Sequence, residues 1–197
     1  MLRVYCAGPL FNAGERAEMD SIAGMLEQSG FSTFLPHRDG LEFAQLKPEL
    51  EKLGASPNEA ASIVDRAIFS LDTYQLLRQC DVVVANLNGR VPDEGTIVEA
   101  TLAWHSDKPL ILYKADVRSM LSGSDNPMVI GLGDFETIGD LSALPAAILR
   151  TVALHSPDRV SQAMNLGASI ATLRNDSGSV SAVAAALYQN MQQRKKP

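Results

Sequence analysis

Residues 81–87, Asp-Val-Val-Val-Ala-Asn-Leu, form the stretch that decides the fold. The run is short, rich in β-branched residues and apolar on both faces, which is typical of a central strand in a parallel sheet. A helix is predicted to begin close to Gly95 and Thr96 and to run to His105. A buried strand that leads into a helix indicates a β-α-β course of the chain.

The same alternation recurs along the chain. Further strands are predicted at residues 2–7, 31–36 and 109–113, with a short fifth strand near 135–138. Helices are predicted at residues 17–28, 58–78, 96–105 and 141–154, with Gly30 ending the first of them. Residues 40–57 are expected to form a long loop with helical pieces over the site. We therefore predict an α/β fold with a doubly wound, flavodoxin-like parallel five-stranded sheet and helices on both faces.

The chain of 197 residues, 46% of them hydrophobic, is long enough for one full α/β core and an appendage. We predict an α/β domain over residues 1–155 and a C-terminal helical extension over 156–197. Two amphipathic stretches, 157–175 and 179–193, are the predicted helices of the extension. No residues that suggest chemistry stand out in it.

Composition excludes several classes of protein. A net charge of −6 and a pI near 5.0 argue against a nucleic-acid polymer as partner, because phosphate backbones require a basic surface. No apolar run has the length of a membrane span, and the chain enters its first strand without a leader, so a cytoplasmic protein is expected. The two cysteines and three histidines have no metal-binding spacing, and neither metal nor cofactor is expected.

The segment 92–99, Pro-Asp-Glu-Gly-Thr-Ile-Val-Glu, places two carboxylates, Asp93 and Glu99, at the turn into the predicted helix. In open α/β sheets ligands bind beyond the carboxyl ends of the strands, which is where this turn lies. The residues alone leave other interpretations open. Thr96 and Glu99 match a capping box, and Asp93 could be an exposed loop residue or an N-cap.

Three segments together resemble the nucleoside 2-deoxyribosyltransferase family. They are Tyr5-Cys6-Ala7-Gly8-Pro9-Leu10-Phe11, Cys80-Asp81-Val82-Val83-Val84-Ala85-Asn86-Leu87, and Pro92-Asp93-x-Gly95-Thr96-x-x-Glu99. A fourth segment, Asn126-Pro127-Met128, resembles one that family members contribute to a neighbouring subunit's site. The resemblance covers roughly residues 1 to 150.

The resemblance implies a role for each matching residue. Glu99 is the expected nucleophile, Asp93 the expected acid/base, and Tyr5 the residue that fixes the Glu99 side chain and keeps it ionised. Substrate contacts are expected from Gly8, Pro9, Phe11, Asp72, Gly95, Asn126 and Met128. Because Asn126 and Met128 would serve a neighbour, the resemblance also implies a homodimer or higher homo-oligomer with shared sites.

Asp72 is where this chain departs from the family. Members often carry an acidic or amide residue four positions before the residue corresponding to Leu77, and here that position is Thr73. One position turns a helical side chain by ~100°, so the sequence leaves open whether Asp72 or Thr73 faces the site.

The expected activity is transfer of the 2-deoxyribosyl group of a nucleoside to a free nucleobase, through a covalent glycosyl intermediate on Glu99. A hydrolase acting on nucleosides or nucleoside 5′-monophosphates is the alternative, although residues 9–15 lack the Ser that a phosphate cradle would need. An alternative of another class is a non-catalytic domain that binds or senses nucleotides.

Overall fold

The computed structural model describes residues 1–89, 91–116, 125–177 and 180–194. Internal contacts divide the chain into two units, Met1–His155 and Ser156–Pro197. The candidate site residues all belong to the first unit.

The first unit is built on a parallel sheet that has four strands within the described residues. They are β1 (Arg3–Ala7), β2 (Ser32–Phe34), β3 (Val82–Asn86) and β4 (Leu110–Tyr113). Their spatial order is β2-β1-β3-β4, and β1 lies in the centre with Tyr5 opposite Phe34 on one side and Val83 on the other. Every residue of β3 is buried, as the apolar run predicted.

The prediction of a fifth strand near residues 135–138 was wrong for the described part of the chain. Only Ile138 pairs with β4: its N–H donates to Leu112 O at 2.8 Å, and Lys114 N–H donates to Ile138 O at 2.8 Å. Asp134 and Phe135 have φ angles of 54° and 65°. These left-handed conformations bend the backbone out of the extended form just before the bridge, so the pairing cannot lengthen.

Helices cover the first unit as the alternation predicted, with some changed boundaries. They are α1 (Ala13–Gln28), α2 (Pro36–Asp39), α3 (Phe43–Lys52), α4 (Pro57–Tyr74), α5 (Glu94–His105), α6 (Pro127–Ile130) and α7 (Leu144–Leu154). A π-helical turn, Gln75–Gln79, follows α4, and short 3₁₀ turns occupy Gly131–Gly133 and Leu141–Ala143. The expected loop at residues 40–57 is largely the helix α3.

The start of α1 has a local cause. Asn12 accepts a hydrogen bond from Glu15 N at 3.0 Å, and the Glu15 carboxylate accepts one from Asn12 N at 3.2 Å. This capping box begins the helix four residues before the predicted start. At the other end Gly30 has a φ of +88°, the left-handed conformation that a glycine after a helix supplies.

The core lies in two layers, one on each face of the sheet. On the face that carries α1 and α7, the cluster includes Val4, Cys6, Met19, Ile22, Val84 and Ile148. On the face that carries α5 and the π-helical turn, it includes Tyr5, Ala7, Leu76, Val83, Ala100 and Leu112. Alternate residues of β1 point to opposite faces, which confirms the predicted sheet with helices on both sides.

The second unit contains the helices α8 (Arg159–Ser177) and α9 (Val180–Arg194). The predicted start of the second of these helices, Ser179, lies outside the described residues. Among the helices of the described ranges, none combines the length and the apolar character of a membrane span.

Candidate active site

The N-terminus of α5 is held by Asp93. This residue is the N-cap, and its Oδ2 accepts hydrogen bonds from Thr96 N at 2.7 Å and from Thr96 Oγ1 at 2.9 Å. A Cβ on Gly95 would lie 3.1 Å from the same oxygen, so a glycine lets the carboxylate approach the helix closely. The interpretation of Thr96 as N-cap, with Glu99 as its capping partner, was therefore wrong.

Glu99 is bonded to the sheet instead. The hydroxyl of Tyr5 donates to Glu99 Oε1 at 2.5 Å. Tyr5 is fully buried, and its ring stacks on Phe34 with a centroid separation of 5.5 Å. This bond joins the middle of β1 to the second turn of α5, between residues 94 positions apart in the sequence.

Burial controls the protonation of this pair. It raises the pKa of Glu99 to about 8; the hydrogen bond from Tyr5 lowers that pKa, and the charges of Asp72 and Asp93 add to the rise. The Tyr5 bond therefore acts in the expected direction, towards an ionised carboxylate, but burial outweighs it. Burial and the Glu99 charge raise the pKa of Tyr5 as well, so its hydroxyl keeps its proton and serves as donor.

Asp72 lies on the same side of the sheet, near the end of α4. Burial raises its pKa to about 6, and its charge is close enough to affect both Glu99 and Tyr5. The chain after it forms the π-helical turn, in which Cys80 N donates to Gln75 O at 2.9 Å. A π-helical turn contains one residue more than an α-helical turn. We attribute to this extra residue the one-position offset of Asp72 relative to Leu77.

A cavity of about 290 Å³ lies between the last turns of α4 and the first turns of α5. It is lined by Phe69, Asp72, Thr73, Leu76, Glu94, Gly95, Val98, Glu99 and Leu102. Both of the rival positions, Asp72 and Thr73, face it. The cavity thus brings Asp72, Gly95 and Glu99 together from the predicted site, while Tyr5 supports Glu99 from behind.

Sequence reasoning missed five of the lining residues: Phe69, Leu76, Glu94, Val98 and Leu102. Glu94, which the sequence suggested was merely solvent-facing, is exposed and still lines the cavity. The apolar members follow helical spacing with the predicted site residues, three or four positions from Asp72 on one helix and from Glu99 on the other. That spacing was a signal which could have found them.

The first loop does not line this cavity. Gly8 is required by packing, because a Cβ there would lie 2.1 Å from Met19 Sδ. Pro9 is buried, whereas Phe11 is 82% exposed, which contradicts the alternative that Phe11 is a core residue. Their expected contacts with substrate stay predictions.

Asn126 and Met128 also lie away from the cavity lining. Asn126 is the N-cap of α6, and its Oδ1 accepts a hydrogen bond from Met128 N at 2.9 Å. Both side chains are exposed, Met128 to 82%. Most of the Gly/Ser/Asp-rich stretch before them, including Ser122, lies outside the described residues.

Comparison with known proteins adds the family. The model of a family described as nucleoside 2-deoxyribosyltransferase matches residues 4–164, most of the chain. The chain belongs to this family. Nucleoside 2-deoxyribosyltransferases are enzymes that act on small-molecule nucleosides and nucleobases at the N-glycosidic bond, by transfer or hydrolysis. No curated protein matches the chain.

Solved structures support the fold. A conserved protein from Enterococcus faecalis V583 is 18% identical, with a TM-score of 0.59 over 76% of this chain and 98% of its own. A 2-deoxyribosyltransferase from Bacillus psychrosaccharolyticus is 21% identical, with a TM-score of 0.45 over 73% and 96%. A CMP N-glycosidase, BcmB, from Clostridium botulinum is 16% identical, with a TM-score of 0.41 over 73% and 94%.

Proposed function

We propose that this protein transfers the 2-deoxyribosyl group of a nucleoside to a free nucleobase, with Glu99 as nucleophile. The observation that carries the proposal is the Glu99 carboxylate, buried at the wall of a cavity and held by the Tyr5 hydroxyl. A carboxylate that only capped a helix would lie at the helix end and would not be bonded to a strand. The family provides the substrate class.

The reaction proceeds in two displacements. Glu99 attacks the anomeric carbon, the C–N bond to the base breaks, and the departing base takes up a proton. The sugar is then an ester of Glu99, and a second base attacks the same carbon and releases the carboxylate. Each step inverts the carbon, so the product nucleoside keeps the configuration of the substrate.

Asp93 is the proposed acid/base. Its Oδ2 is taken by the two bonds from Thr96, while its Oδ1 makes no hydrogen bond with the described residues. One oxygen can therefore hold the helix while the other exchanges a proton with the base. Gly95 lines the cavity directly beside this carboxylate.

Hydrolysis is the alternative outcome of the same chemistry, with water in place of the second base. For nucleoside 5′-monophosphates a phosphate cradle would be required in the first loop. Arg16 is the basic residue there, and its Nε donates to Leu10 O at 2.8 Å. With no Ser in residues 9–15, nucleosides are the better-supported substrate. The non-catalytic alternative predicts binding without turnover.

Incubation with 2′-deoxyinosine, with and without free adenine, tests the proposal by product chromatography. Deoxyadenosine is the product expected from transfer, and hypoxanthine with free deoxyribose is the product of hydrolysis. Glu99→Gln is the matched control, since it keeps the shape of the side chain and its bond to Tyr5. Unchanged substrate with the wild-type protein contradicts both activities and supports a binding domain.

A further inference from the structure

The cavity beside Glu99 has walls of two kinds. One wall is apolar and is formed by Phe69, Leu76, Val98 and Leu102. Phe69 is 66% exposed and Val98 54% exposed, so large apolar surfaces face the open part of the cavity. Flat aromatic rings bind to such surfaces by stacking and apolar contact. This wall suits the face of a nucleobase, to which it offers no hydrogen bond.

The polar wall consists of three carboxylates and one hydroxyl, from Asp72, Glu94, Glu99 and Thr73. Among the described lining residues there is no Lys, Arg, His, Asn or Gln. Ionised carboxylates only accept hydrogen bonds, whereas amide and basic side chains donate them. The polar wall therefore presents acceptors to whatever edge of the base it meets.

Asp72 is the acceptor best placed for this contact. Glu99 is bonded to Tyr5 and is the proposed nucleophile, and Glu94 is exposed. The carboxylate of Asp72 is partly buried and makes no hydrogen bond with the described residues, although its charge is felt by Glu99. A partly buried carboxylate without a donor is costly, and a bound ligand with N–H groups would supply one.

Bases differ in what they present at this edge. Adenine and cytosine carry an exocyclic amino group, which donates. Hypoxanthine and uracil carry a carbonyl oxygen at the corresponding position, which accepts and would face the carboxylate as a second acceptor. We infer, on the basis of the proposed function, that the cavity selects amino-substituted bases over their oxo counterparts, with the Asp72 carboxylate accepting from the amino group.

The test compares bases of equal size. Binding of 2′-deoxyadenosine and 2′-deoxyinosine to the Glu99→Gln protein is measured by calorimetry near pH 8, where turnover is absent and Asp72 is ionised. We expect deoxyadenosine to bind at least about tenfold more tightly, because a charge-assisted hydrogen bond is gained in one complex and an unpaired acceptor is buried in the other. Deoxycytidine should exceed deoxyuridine in the same way.

A second variant identifies the group responsible. Asp72→Asn, made in the same Glu99→Gln background, replaces an acceptor by an amide that can also donate, and should reduce the preference to near unity. Glu94→Gln makes the same chemical change at an exposed lining position and should leave the preference intact. A ratio that follows Asp72 alone is a readout that general loss of stability would not produce.

Equal affinity for the two nucleosides, a preference for deoxyinosine, or binding of neither overturns the inference. A preference that Asp72→Asn leaves unchanged overturns the role of Asp72. Turnover of the wild-type protein is measured separately with deoxyinosine and adenine. Transfer without base preference would contradict only this inference, whereas preferential binding without turnover would contradict only the proposed activity.

Discussion

At the scale of single residues, Glu99 experiences two opposing effects. Burial raises the pKa of its carboxyl to about 8, and the Tyr5 hydroxyl lowers it. A nucleophilic carboxylate must be ionised, so the free enzyme should gain activity as the pH rises towards that value. The strength of the Tyr5 hydrogen bond decides where this acid limb lies.

Tyr5→Phe should therefore move the acid limb of the kcat/KM profile to higher pH. The ring and its packing on Phe34 stay, but the donor that lowers the pKa of Glu99 is lost. The measurement is kcat/KM for a 2′-deoxynucleoside from about pH 5 to about pH 10. Tyr113→Phe, another buried tyrosine on the opposite face of the sheet, is the control and should leave the limb in place.

Glu99→Gln should stabilise the fold at alkaline pH while abolishing turnover. The pKa of Glu99 is about 8 in the folded protein against an ordinary value of 4.5, so the folded state binds more protons between these values. Wild-type stability therefore falls as the pH rises through that window, by up to about 1.4 kcal/mol per pH unit from this group.

Denaturant unfolding of both proteins at about pH 4.5 and about pH 8 checks this sign. The variant should gain relative to the wild type between the two conditions. Wild-type stability that rises with pH relative to the variant would mean that Glu99 is held ionised, and would remove the argument from burial.

At the scale of elements, the N-terminus of α5 combines a structural and a chemical task in Asp93. Asparagine is as good an N-cap as aspartate, but it cannot donate or accept the proton of an acid/base. Asp93→Asn should keep the free energy of unfolding within a few tenths of a kcal/mol and lose about 10²-fold or more in kcat. Asp93→Ala should lose the same activity and, in addition, about 0.5–2 kcal/mol of stability.

Unfolding curves and steady-state rates of the two variants separate the tasks. If Asp93→Asn retained wild-type kcat, Asp93 would be an N-cap alone, and another group would have to protonate the departing base. Asp72 would then be the nearest candidate, since its pKa is raised to about 6 and it lines the cavity.

At the scale of the whole molecule, assembly is the open question. Asn126 and Met128 are exposed and do not line the cavity of their own chain. We predict that they complete the site of a second copy, so a mixture of inactive Glu99→Ala and inactive Asn126→Ala proteins should partly recover activity. Some mixed interfaces would then contain one site with neither change.

The control is Asn126→Ser, which keeps an N-cap for α6 but has a side chain too short to reach a neighbour's ligand; it should behave as the alanine variant does. Subunit exchange is verified by sedimentation of differently tagged proteins. A monomer at the assay concentration, or no recovery after exchange, would leave Asn126 as the cap of its own short helix.

Local pattern was enough to predict much of the fold. The β-branched run at residues 81–87 and the alternating helices predicted the parallel sheet and helices on both of its faces, because each of these features depends on residues close together in the sequence. The fifth strand could not be judged in this way. Its failure depends on the left-handed conformations of Asp134 and Phe135, which are not glycines and gave no signal.

The sequence by itself determined the strand and helix order and the presence of two carboxylates at the start of α5. Only the tertiary structure decided that Asp93 caps this helix, that Glu99 is bonded to Tyr5, and that Asp72 shares the cavity through the π-helical turn. The reason is physical: a pKa and a cavity depend on burial and on distances through space, and these join residues such as Tyr5 and Glu99 that lie 94 positions apart.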